Sequence, residues 1–153
     1  MSSTLSPTPT ASVAERHVGS WRTDPVAQAF WLLRLGFTIA PIAFGLDKFF
    51  NVLVDWPQYL APVIVRNSPW SAQGTMYVVG VVEIVAGLVV LLRPRFGGYL
   101  VAAWLAGIIF NLLLIPGYYD VALRDFGLLL AALTLARLAT LFPNSLARSH
   151  TRS

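Results

Sequence analysis

The sequence predicts an all-α integral membrane protein, a four-helix bundle with both termini in the cytoplasm. Three observations point there. The 153 residues are 56% hydrophobic, with a mean hydropathy of +0.66. Only 12% are charged, about half the share that soluble domains carry. The apolar residues also gather into four runs that, at 1.5 Å rise per residue, are about long enough to cross the ~30 Å hydrocarbon core of a bilayer.

Residues 1–25 are rich in Ser, Thr and Pro and contain no apolar core of a cleavable signal, so they are expected to form a disordered tail. The first span, about residues 27–50, is then expected to act as an uncleaved signal anchor. Arg34 and Pro41 interrupt it, and it ends in Asp47-Lys48. The second span covers about 74–92, the third about 97–115, and the fourth about 125–142, where Pro143 stops it. Residues 26–142 thus form one membrane domain, followed by a tail over 143–153. The link Arg93-Pro94-Arg95-Phe96 is so short that the second and third spans are expected to pack as antiparallel neighbours. The segment between the first two spans, Asn51–Gln73, is too long for a simple link. Asp55 is a candidate cap for a short helix with Pro57 near its start. Its tryptophans and tyrosine suit either a seat among lipid headgroups or a lid over a cavity.

Basic residues set the orientation. Arg16 and Arg22 flank the first span, Arg93 and Arg95 lie in the second loop, and Arg148 and Arg152 follow the last span. The first and third loops hold only Arg66 and Arg124, besides Lys48 at a helix end. By the positive-inside rule the termini and the Arg93–Arg95 loop face the cytoplasm. The net charge of +4 comes from residues dispersed at helix ends, which excludes a nucleic-acid partner and leaves the lipid bilayer as the primary one.

The polar residues inside the spans are the site candidates. Glu83 stands in the middle of the second span, where a carboxylate costs roughly 2.5–3.5 kcal/mol or more on insertion. At 100° per residue, Arg34, Thr38, Pro41, Gly45 and Lys48 share a face of the first span, while Asp47 points elsewhere. Gly80 and Gly87 share the Glu83 face and allow close backbone approach. Ala103, Gly107 and Asn111 make a similar stripe on the third span. Side chains lean towards the N-terminus of their own helix, so Lys48 and Glu83 converge from opposite directions. Asn111, Arg124 and Asp125 lie near the same level, whereas Arg34 leans away. These residues are expected to line a cavity open to the outside around a Lys48–Glu83 pair. The pair serves either helix register or a ligand or proton.

Other chemistry is excluded. Cysteine is absent, which removes thiolate nucleophiles, iron–sulfur clusters and Cys-based metal sites. His17 and His150 both lie in the tails, so no histidine-ligated haem sits in the membrane. No catalytic constellation is visible, and neither a covalent cofactor nor a metal is expected.

Arg34-Leu35-Gly36, Gly45-Leu46-Asp47-Lys48-Phe49, Glu83-Ile84-Val85-Ala86-Gly87 and the basic turn Arg93-Pro94-Arg95 together resemble the DoxX family of small four-span bacterial membrane proteins, over roughly residues 30–140. The fourth helix departs from the family pattern, with Leu135-Ala136-Arg137-Leu138-Ala139 where many relatives carry glycines. The resemblance implies a multi-pass protein of the bacterial inner membrane that serves as an accessory, quinone-binding or anchoring subunit for a soluble or membrane redox partner. Under that reading Arg34 or the Lys48–Glu83 pair holds a quinone carbonyl, with Trp31, Trp104 or Tyr77 beside the ring. The alternative is a binder or transporter of a small lipid or weak acid, which with only four spans implies a homo-oligomer.

Overall fold

A computed structural model of the chain describes residues 24–142. The expectations of a disordered tail over 1–25 and of a second tail over 143–153 therefore fall outside the described residues, apart from Asp24 and Pro25. Among the described residues the secondary structure is all helical. Helix α1 spans Pro25–Phe50, α2 Pro62–Asn67, α3 Ala72–Leu92, α4 Pro94–Leu113 and α5 Tyr119–Leu138, and a 3₁₀ turn covers Trp56–Tyr59.

Local chemistry sets the helix ends. The Asp24 carboxylate caps α1 by accepting from Val26 N at 3.0 Å, with Pro25 in the first turn. Asn51 ends α1 in the left-handed region at φ 51°, its N–H donating to Asp47 O. Ser71 Oγ caps α3 by accepting from Gly74 N at 3.1 Å. Arg93 alone separates α3 from α4, and Gly117 at φ 94° turns the chain into α5. Asp55 does stand before the short helical turn at Trp56, but its side chain makes no capping bond.

Among the described residues three helices, α1, α3 and α4, are long and apolar enough to cross a membrane. Helix α5 has comparable length but carries Asp120, Arg124, Asp125 and Arg137. It also starts six residues before the expected 125, because the chain resumes helical geometry directly after the Gly117 turn. Arg124 bonds Asp120 one turn earlier at 3.0 Å, which supports that first turn.

The bundle is built from two tightly packed pairs. Helix α1 lies along α3 and α4 along α5, whereas the consecutive helices α3 and α4 touch much less. Small residues explain the pairing. A Cβ on Gly45 would sit 2.6 Å from Gly80 O, and one on Gly80 equally close to Gly45 O. Gly87 lies against Thr38 O in the same way, and Gly98 against Ala132 O, each at 2.8 Å from a built Cβ. The pairs meet at the end of the bundle that holds the start of α1 and the end of α5. There Phe30 stacks on Phe142 at 4.7 Å, above a core that includes Phe37, Val90, Leu105 and Leu135. Between the pairs all four long helices and part of the segment 51–71 bound a cavity.

Candidate functional site

Lys48 belongs to the last turn of α1, and Glu83 lies near the middle of α3. Gly45 and Gly80 bring these helices together just beside them. A Cβ on Gly80 would approach Lys48 Cβ to 3.3 Å, so the missing side chain leaves the Lys48 stem its path down towards Glu83. The ammonium donates to Glu83 Oε2 at 2.7 Å, with the two residues 3% and 8% exposed. Trp56 closes the other side of Lys48, its ring centre 3.6 Å from Nζ. A buried cation is thus held between a carboxylate and an aromatic face.

The pair stands at the polar end of a cavity of about 860 Å³, bounded by all four long helices and by residues of the 51–71 segment. Trp56, Tyr59, Leu60 and Ile64 form its cover, so this segment is a lid. Three ties hold it. Trp56 Nε1 donates to Asp47 Oδ2 at 2.7 Å. Asn111 accepts from Ala61 N at 2.9 Å and donates to Tyr59 O at 2.6 Å. The Tyr59 ring meets Tyr118 edge-on at 5.0 Å. The walls below are apolar, among them Leu33, Phe37, Met76, Leu105 and Leu128. A volume of that order suits a small-molecule site with few polar groups.

The six candidate residues separate into two groups. Lys48, Glu83, Asn111 and Asp125 all line the cavity. Arg34 and Asp47 do not line it. Arg34 donates to Leu91 O near the end of α3 and lies 4.9 Å from the Trp31 ring centre, which satisfies a helix-end carbonyl. Asp47 accepts from Val52 N, Leu53 N and Trp56 Nε1, and its role is to shape the chain leaving α1. Of the aromatic residues considered for a ring contact, only Trp104 lines the cavity. Trp31 is occupied by Arg34, and Tyr77 stacks on Phe49 at 5.2 Å. Within the small stripe on α4, Gly107 faces open space and lines the cavity, and the helix packs through Gly98 instead.

Two site features escape the sequence. Trp104 Nε1 is buried beside the Glu83 carboxylate with no hydrogen bond completed. It is a donor left over at the polar end of the cavity. Trp56 reaches Lys48 only because the lid folds back, and no spacing along the chain signals that contact. Among the described residues no three His, Cys, Asp or Glu side chains come together as a metal site would need. No family model, curated protein or solved structure matches the chain at a significant level.

Proposed function

We propose that this chain is a quinone-binding membrane subunit of DoxX-like type, set in a bacterial inner membrane with four spans and cytoplasmic termini, which serves a redox partner. One observation carries the reading: a deep apolar cavity whose polar groups are concentrated at one end and include spare donors. A quinone needs that combination, an apolar slot for ring and tail with hydrogen-bond donors for a carbonyl oxygen. Lys48 Nζ keeps protons beyond the one given to Glu83, and Trp104 Nε1 completes no hydrogen bond. Phe44, Trp56 and Trp104 supply aromatic surface beside them. With no cysteine in the chain, the electron carriers of such a system reside in the quinone and the partner. Under this reading α5 is the fourth span, its acidic and basic residues at Asp120, Arg124 and Asp125 lying near the membrane surface or facing the cavity.

Titrating the purified protein in detergent with decylubiquinone, read by tryptophan fluorescence quenching, tests this. Saturable quenching is expected, and Trp104→Phe weakens it by about 3–10-fold, the worth of one hydrogen bond. Glu83→Gln weakens it further because Lys48 loses its counter-charge. Absence of saturation, or variants that bind like the parent, would rule out the quinone site. The second reading, a lipid or weak-acid binder, rests on the buried Lys48 cation, which an anionic headgroup would engage. Mass spectrometry of small molecules retained through purification separates the two.

A further inference from the structure

The cavity was expected to open outwards, yet its cover is tied down by Asp47, Asn111 and Tyr118. The exposure of the lining residues shows where the opening lies instead. On α3 the lining residues Met76, Glu83 and Ala86 are buried, and Thr75 and Val79 are partly covered. On α1 the lining residues Leu32, Gly36, Ala40 and Phe44 are exposed, as are Arg124 and Leu128 on α5, whereas of the lining residues on α4 only Gly107 is. These two helices are neighbours around the bundle but touch little. They are joined at one end by the Phe30–Phe142 stack and separate beyond it. A Cβ on Gly36 would meet nothing within 4 Å.

Depth identifies what faces this gap. Ala40 lies ten residues, roughly 15 Å, from the lid end of α1, and Leu128 nine residues, roughly 14 Å, from the lid end of α5. Both fall near the middle of a ~30 Å hydrocarbon layer. We infer that the cavity fills sideways from the bilayer, through the gap between α1 and α5, and that its ligand is a tailed amphiphile already dissolved in the membrane. The head passes the gap to reach Lys48 and Glu83, and the tail remains between Gly36 and Leu128 or trails into lipid. The inference rests on the membrane-embedded quinone reading and restricts it to quinones that carry a tail.

The absence of cysteine makes the test direct. Ala86→Cys places one thiol on the buried α3 wall of the cavity, where the native residue is 2% exposed. The variant is reconstituted into phosphatidylcholine vesicles and treated with N-dodecylmaleimide, which arrives through the bilayer, or with a charged trimethylammonium thiosulfonate, which arrives through water. The dodecyl reagent is expected to label at least tenfold faster. Adding Gly36→Phe, or Ala40→Phe if the first does not assemble, should slow that labelling at least fivefold. Faster labelling by the charged reagent, no labelling by either, or indifference to the aromatic plug would each overturn the lateral route. Neither reagent is a quinone. A cavity that takes the dodecyl reagent through the gap but fails to bind decylubiquinone would therefore sink the quinone assignment and leave the route intact.

Discussion

Replacing Lys48 by methionine removes the cation and keeps most of the stem. The ammonium lies 2.7 Å from Glu83 Oε2, and the side chains are 4% and 10% exposed. Removing one member of such a pair strands the other charge, at a cost of about 3–5 kcal/mol. The lost contact between Nζ and the Trp56 ring adds up to about 2 kcal/mol, since the site is desolvated. At about 1.4 kcal/mol per factor of ten, the lower bound already shifts the folding equilibrium by roughly two orders of magnitude. Glu83→Leu alone strands Lys48 and should cost a similar amount. The double variant, Lys48→Met with Glu83→Leu, strands nothing and should lie within about 2 kcal/mol of the parent, because apolar residues replace buried pairs without great loss. Equilibrium unfolding in mixed micelles, run as a double-mutant cycle, should return a coupling energy of about 3 kcal/mol or more. Two single variants whose losses simply add, with coupling below about 0.5 kcal/mol, would show that the pair does not form and would refute the reasoning.

Gly45→Ala should destabilise by about 1–3 kcal/mol, because its Cβ would lie 2.6 Å from Gly80 O and must push α1 off α3. Gly127→Ala, with nothing within 4 Å, is the matched control and should leave stability unchanged or slightly raised in the same unfolding assay. Asn111→Ala deprives Ala61 N and Tyr59 O of their partners, a loss of about 1–3 kcal/mol. Hydrogen exchange should show it as faster exchange at Ala61, with the amides of α3 unaffected; protection equal to the parent would mean that the lid is held elsewhere.

Much of the helical frame can be read from the chain because it depends on local chemistry. Hydrocarbon offers no partner to backbone N–H and C=O groups, so a long apolar run in a membrane must be helical; the caps at Asp24 and Ser71 start two of the helices a few residues before the apolar runs do. The start of α5 was misplaced because Asp125 looks like a boundary, whereas the helical turn is set by the geometry at Gly117. The meeting of Lys48 and Glu83 was legible from helix phase and side-chain lean. The divergence of Arg34 was legible too, since it reaches towards its own end of the bundle.

Asp47 was not legible, because its three donors come from a lid whose path depends on long-range contacts. The preference of α1 for α3 and of α4 for α5 was equally hidden. Both pairings depend on which glycine meets which backbone, as at Gly45–Gly80 and Gly98–Ala132, and composition cannot order such contacts. By itself the sequence determined that the chain builds apolar helices long enough to cross a bilayer, and which charged residues those helices carry inward. Only the tertiary structure decided that the helices pack as two close pairs, that the lid is tied over the space between them, and that the opening faces sideways. Helix formation is settled within a few neighbouring residues. A cavity is settled by where helices far apart in sequence fail to meet.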